Sequence, residues 1–442
     1  MRQGTDVAWR EHYAQRLLSA DEIVARVKPG SRIYIVIGHE SAVLMAGLLA
    51  RADQLEDVEL RKLGGFWEDY GVYTPEWTKK LRVNVSFATA PSRQAVNDGI
   101  VDFTPVGFGD VNRDIEQGRA GSRRYDQCWF TVTPPNAEGY CCVGASLWDL
   151  RTGMRNSTTK VAGINRYLPK TFGDTWLHVS EIDFFFEHHD PIPERAHRAP
   201  QPGAQAIADH VSGLVHSGDT IHIGAGTTTF SLALLGAFDD KEDLGYFAET
   251  TPPGMIDLVK RGVITSKYAT AHPRKFVTTG VTLTGPADAE YIDENAFFEF
   301  RDYDYLLDPS VIKRNDRFVA IHNALSVDLF GQVAVSSLGP KIHAGTGGQL
   351  AFHTGAFLSK GGRAVTVLPA LTTDGRQSRI VPQHPPGQIV TIPFDLADTV
   401  VTEYGVADLL GKSLRQRADA LIAVAHPDVR PELRAAIRRY GG

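Results

Sequence analysis

One acidic residue, Glu249, ends an apolar segment in FAETTPPGMIDL (residues 247–258) and stands directly before a Pro-Pro-Gly turn that opens a predicted helix. A solvated surface acid is the default for a glutamate, and this setting fits it poorly. Two other stretches carry backbone chemistry. In IHIGAGTTTFSLALL (221–235) small residues follow a strand and precede a predicted helix, leaving N–H groups to meet an anionic or oxyanionic ligand. The same pattern also serves as a plain strand-to-helix turn. HAGTGGQLAFHTGAFLSKGG (343–362) concentrates glycines at 345, 347, 348, 355, 361 and 362, which implies tight turns, close approach of backbone to a ligand, or a connector.

The elements that must hold these residues form a pattern. The segment DPIPERAHRAPQPG (190–203) has four prolines and no apolar periodicity, so it reads as a linker between a first domain, 1–189, and a second, 204–442. Segments beginning at Ala25 and at Gly213 each read helix, glycine turn, buried strand, small-residue loop, helix, strand. Gly30 and Gly218 stand 188 residues apart, while Leu48 and Leu234, like Asp57 and Asp243, stand 186 apart. A duplication with a two-residue loop difference accounts for both spacings. The expected fold class is therefore α/β: two tandem similar domains with mainly parallel open sheets. In such sheets ligands sit beyond the carboxyl ends of the strands.

Composition narrows the function. The 442 residues are 43% hydrophobic and 22% charged, with a formal net charge of −6 and both signs interspersed, so no basic face invites a nucleic acid. Apolar runs such as RIYIVIG and AVLMAGLLA are too short for a bilayer, and the first residues lack an apolar signal core, so a cytoplasmic protein with no membrane partner is expected. Three cysteines, two of them adjacent, form no disulfide scaffold. The pair His188-His189 has no ligand partner at a recognisable spacing, and no metal is expected. GAGTTT lacks both the third glycine of a dinucleotide fingerprint and the Lys-Ser/Thr of a P-loop, which leaves an oxidoreductase as a remote alternative.

Nearly the whole chain resembles the acetyl-CoA hydrolase/transferase family, which includes acetate and 4-hydroxybutyrate CoA-transferases. In the first half the resemblance rests on PSRQAVNDGIVDFTPV, TVTPPNAEGYCCVG and INRYLPKTFGDTWLHVSEID. In the second it rests on KEDLGYFAETTPPGMIDLVKRGVIT, IHNALSVDLFGQV, GTGGQLAFHTGA, SRIVP, VVTEYGVADLLGKSLRQRA and AHPDVRPELR. The resemblance implies two similar α/β domains and a homodimer. It also implies a ping-pong exchange of CoA between an acyl-CoA and a small carboxylate, with CoA as substrate and no resident cofactor. By resemblance Glu249 is the nucleophile that becomes a glutamyl-CoA thioester, and the backbone N–H groups of Ala225 and Gly348 are oxyanion donors. Glu403, in VVTEYGVAD, matches a further active-site acid. Gly224, Gly226, Gly345, Gly347, Gln349 and Lys360 are the candidate CoA contacts.

The chain departs from the family pattern close to these positions. Leu307 stands in YLLDPSVI where an asparagine usually precedes Asp-Pro. In HNALSVD, His322 and Ser326 replace an Asn and a Glu; His222 replaces the Gln before the small-residue loop, and Ala351 follows GGQL where an acid is usual. His222, Leu307 and His322 are accordingly candidate substrate contacts, the histidines being alternatively hydrogen-bonded interior residues. An acyl-CoA hydrolase on the same scaffold is the nearest alternative function, and a non-catalytic acyl-CoA-binding protein the next.

Overall fold

The computed structural model describes residues 2–66, 70–107, 112–195 and 199–437. It divides into two compact units: Met1–Val106 with Asp110–Arg195 and Leu283–Asp304, and Gly107–Gly109 with Ala196–Thr282 and Tyr305–Gly442.

The first unit is built on β1 (Arg32–Ile35), β2 (Val58–Gly64), β3 (Leu81–Phe87), β4 (Asp102–Phe103), β5 (Tyr125–Val132), β6 (Ser157–Ile164) and β7 (Phe184–Glu187). Their spatial order is β7-β6-β5-β1-β2-β3-β4, and every neighbouring pair is parallel. Strands covered on both faces need apolar side chains on both, which is why Ile33–Ile35 reads as an unbroken buried run. Helix α1 (Ala42–Ala50) starts where the Ser41 hydroxyl accepts the Leu44 N–H at 3.3 Å. It buries Leu44, Met45 and Leu48 in a core shared with Ile33, Ile35, Leu60 and Val85.

Residues 283–304, assigned from sequence to the second domain, cluster with the first unit. Specific contacts hold them there. Phe298–Phe300 pairs with Phe172–Gly173, Arg155 meets Asp304 at 2.8 Å and Arg301 meets Asp174 at 3.2 Å. The start of the expected linker is pinned as well, since the Arg195 N–H donates to the Thr284 carbonyl at 2.8 Å. The described residues of 190–203 form no helix or strand, and 196–198 lie outside the described residues.

The second unit repeats the plan with β8 (Thr220–Ile223), β9 (Gly245–Thr251), β10 (Phe276–Val281), β11 (Phe318–Asn323), β12 (Arg363–Val367), β13 (Thr399–Thr402) and β14 (Gly405–Asp408). The order is β14-β13-β12-β11-β8-β9-β10, parallel throughout except for the β13–β14 hairpin. The chain runs outward from β8 through β9 to β10 and then returns to the other side of β8 as β11. In open α/β sheets ligands bind beyond the carboxyl ends of the strands flanking such a reversal, here β8 and β11. The α/β class and the tandem of similar, mainly parallel units agree with the reading from sequence.

One element differs. After β8 the sequence predicts a helix; the structure has a single 3-10 turn, Thr229–Ser231, followed by turns through residue 240. The hydroxyls explain it. Thr229 Oγ1 donates to the carbonyls of Gly224 (2.6 Å) and Gly226 (3.1 Å), and Ser231 Oγ to that of Thr228 (2.7 Å), so side chains compete with the helical ladder. Among the described residues no helix is long and apolar enough to cross a membrane.

Candidate active site

The strand registers bring the candidate residues together in the second unit. Ile221 pairs with Tyr246 and β8 stops at Ile223, so continuing the register sets Gly224 beside Glu249 on the longer β9. Parallel β11 ends beside the same loop at His322 and Asn323, and Glu403 follows the end of β13. All lie at the carboxyl ends of the parallel strands.

Glu249 is half-buried, and its Oε2 accepts the Gly348 N–H at 3.2 Å. Gly348 caps α2 (Gln349–Leu358) without any side-chain cap, so the positive end of the helix faces the carboxylate. A side chain at 348 has no room. A Cβ there would collide with Glu249 Oε2, lie 2.5 Å from Leu307 Cδ2 and lie 3.0 Å from Phe352 Cε2. Leu307 is fully buried, a placement worth roughly 1.5–3 kcal/mol, and gives the carboxylate an apolar neighbour.

The small-residue loop is fixed from below. Asn323 Oδ1 accepts the Thr229 N–H at 2.9 Å, and a Cβ on Gly226 would come 2.5 Å from Asn323 Cγ. The Gly224 N–H is used by the Ile321 carbonyl at 2.8 Å, whereas no hydrogen bond to the N–H of exposed Ala225 is found among the described residues. An open backbone donor therefore lies next to the strand that carries Glu249.

Glu403 sits in the two-residue turn between β13 and β14, not at a helix start, and its Oε2 accepts the Ala370 N–H at 2.8 Å. Gly203, in the left-handed region at φ 79°, lies against its stem. Burial lowers the Arg379 guanidinium pKa, and the charge of Glu403 acts to raise it.

His222 and His322 are interior residues, 0% and 4% exposed, with their Nε2 atoms 3.0 Å apart. Burial, the largest cause, pushes both well below the usual histidine range, and neighbouring histidines push the same way. His353 is lowered by burial to about 4; its Nδ1 lies 3.2 Å from the Gln349 carbonyl. Ser326 Oγ lies 3.4 Å from His384 Nδ1, and Ala351 is buried in α2.

The other glycine-loop candidates divide. Gly345 and Gln349 are buried, Gly347 is left-handed at φ 56°, and all three lie within three residues of Gly348. Gln349 Nε2 has no partner among the described residues. Lys360 is exposed and follows the far end of α2, about 15 Å along the helix from Gly348, so it is not brought to Glu249. Phe352, Asn323, Thr229, Ala370 and His353 do not stand out from sequence as site residues. Asn323 and Phe352 fall inside the distinctive stretches HNALSVD and GTGGQLAFHTGA, and nothing in their types marks them as support.

Among the described residues no group of three or more His, Cys, Asp or Glu is placed to hold a metal. His188 and His189 face Asp190 (2.9 Å) and Glu187 (2.7 Å), and all three cysteines are buried and unpaired.

Residues 1–194 match the acetyl-CoA hydrolase/transferase N-terminal domain and residues 289–437 its C-terminal domain. The chain is 35% identical to a 4-hydroxybutyrate coenzyme A transferase of Clostridium kluyveri, covering 96% of this chain and 98% of that protein. It is 33% identical to a succinyl-CoA:cyclohexane-1-carboxylate CoA transferase of Geobacter metallireducens, covering 98% and 97%. Among solved structures, RipA from Yersinia pestis superposes with a TM-score of 0.89 at 28% identity, over 98% of this chain and 99% of that one. A 4-hydroxybutyrate CoA-transferase from Porphyromonas gingivalis gives 0.79 at 30%, over 98% and 100%. Full-length kinship to named CoA-transferases and two domain models in their order along the chain agree: the protein is an enzyme of the acetyl-CoA hydrolase/transferase family.

Proposed function

We propose that the protein exchanges CoA between an acyl-CoA and a small carboxylic acid by a ping-pong route through Glu249. The observation that carries this reading is the half-buried Glu249 carboxylate at a strand end, 3.2 Å from the N–H of Gly348 at the start of a helix. A Glu249 oxygen attacks the thioester carbonyl carbon; the C–S bond breaks, giving an acyl-glutamyl anhydride and CoA thiolate. The thiolate then attacks the glutamyl carbonyl, the acyl carboxylate leaves, and a glutamyl-CoA thioester remains for the second acid to reverse the sequence. Covalent division replaces one difficult step with easier ones. The N–H groups of Ala225 and Gly348 hold the oxyanion, and each such donor typically lowers the barrier by about 3–4 kcal/mol. Glu403, held by the Ala370 N–H, orients the acceptor side of the site. CoA is a substrate in this reading, not a resident cofactor, and the enzyme works as a cytoplasmic homodimer.

The expected acids are small carboxylates. Relatives are named for 4-hydroxybutyrate and for cyclohexane-1-carboxylate, and apolar Leu307 beside the nucleophile suits an aliphatic chain better than an amide would.

Incubation with acyl-CoA and no acceptor tests the mechanism. Intact mass measurement should show a gain of CoA less one water on the wild type and none on Glu249→Ala, whose exchange rate should fall to background. Near wild-type exchange by Glu249→Ala would exclude the covalent route. Steady thiol release without a carboxylate would make water the acceptor and the enzyme a hydrolase.

A further inference from the structure

We propose that His222 and His322 form a positioning pair that ties together the two backbone segments carrying the Ala225 and Gly348 N–H groups. The proposal rests on the oxyanion role given to those groups above.

The link can be followed atom by atom. His322 lies beneath the small-residue loop: a Cβ on Gly224 would come 2.5 Å from His322 Cδ2, so the ring occupies the space a side chain would need. Ala225 follows directly. His222 stacks on Phe352, with ring centroids 3.6 Å apart and planes 13° from parallel. Phe352 lies against Gly348, its ring 3.0 Å from that residue's Cβ position and its N–H donating to the Gly348 carbonyl at 3.0 Å. The Nε2–Nε2 contact of 3.0 Å joins the two halves of this chain of contacts. One ring must donate and the other accept, so the contact fixes both tautomers. Small displacements of groups that hold a developing charge have large effects on rate.

Packing alone does not require histidines here. Both Nδ1 atoms are buried without a partner among the described residues, and two aliphatic side chains would fill the space without stranding two ring nitrogens. No acid is among the groups that act on either ring, so the pair stays neutral and adds no charge to the carboxylate's surroundings.

His322→Leu and His322→Gln test the inference in the full-length enzyme. Leucine keeps the packing and loses the bond. A glutamine amide reaches the Nε2 position and can donate or accept. Steady-state kcat and KM for acyl-CoA, the single-turnover rate of CoA adduct formation and a thermal melt are measured for each. His322→Leu should slow adduct formation about 10- to 100-fold with KM changed less than about threefold, and His322→Gln should recover at least about a third of the wild-type rate. A folded His322→Leu that forms adduct within about twofold of wild type overturns the proposal, as does an equal loss in both variants. If His322→Leu does not fold, Phe352→Leu, which removes the stacked ring and keeps both histidines, carries the test: the same kcat-selective loss is expected, and a wild-type rate overturns the link. Wild-type enzyme that forms no adduct at all overturns the glutamyl-CoA reading and this proposal with it, whereas undiminished adduct in the variants overturns the positioning role alone.

Discussion

Gly348 shows how closely single residues are set around Glu249, the proposed nucleophile. Its N–H donates to Glu249 Oε2, and the space where a Cβ would go is already taken by that oxygen, by Leu307 and by Phe352. Gly348→Ala must therefore push the carboxylate or the helix start aside. We expect kcat to fall about 100-fold or more, the cost of one misplaced oxyanion donor, while KM for acyl-CoA stays within a few fold. Equal losses in kcat and affinity would instead indicate a general distortion of the fold. Much of this site is legible in the sequence, because glycines and a stranded glutamate carry their meaning in residue type. His222 and His322 do not, since an imidazole on a strand end looks the same whether it faces a ligand or, as here, a second imidazole 3.0 Å away in the interior. Lys360, close to the glycines in sequence, is set apart from Glu249 by the ten-residue helix between them.

At the scale of elements, the loop after β8 depends on its neighbour β11. Asn323 ends that strand and holds the loop through the Thr229 N–H, while Thr229 Oγ1 returns to the carbonyls of Gly224 and Gly226. Asn323→Ala strands a donor in a partly buried turn, at a cost of about 1–3 kcal/mol, and loosens the loop that carries Ala225. Lower thermal stability and lower kcat are expected together, and Asn323→Asp, which keeps the acceptor, should restore most of the stability. An alanine variant that melts like the wild type would remove Asn323 from this role. The strands themselves are legible because parallel strands buried on both faces, such as FVAI in β11, are largely apolar. The predicted helix after β8 is not formed because the hydroxyls of Thr229 and Ser231 bond nearby carbonyls and compete with the helical ladder.

Across the whole molecule, the repeated spacing in the sequence has a backbone cause. Gly30 and Gly218, at φ 71° and 78°, turn the chain into β1 and β8; Asp57 and Asp243, at φ 50° and 53°, turn it into β2 and β9. Leu48 and Leu234 share the spacing but not the environment, since Leu48 is fully buried and Leu234 is 42% exposed in the stretch where the second unit lacks the helix. Each unit also buries histidine. His39, in the first, and His353, in the second, are both lowered by burial to about 4. An unfolded chain takes up protons on these groups near pH 6.5 and the folded one only near pH 4, so the unfolded state binds more protons throughout that window. Stability must then fall as pH drops from about 6.5 to 4, by about 1.4 kcal/mol per pH unit for each such histidine. Asp302 opposes this, because burial raises it to about 6 and its proton favours the folded state as pH falls. Comparing wild type with His353→Gln cancels that contribution, which both proteins share. Thermal melts at pH 7.5, 6.5, 5.5 and 5.0, on the order of those steps, should show the wild type losing more on acidification than the variant, with the gap opening below about pH 6.5. Parallel curves would mean that His353 is protonated in the folded protein as readily as in the unfolded chain, and the buried neutral imidazole would have to be abandoned.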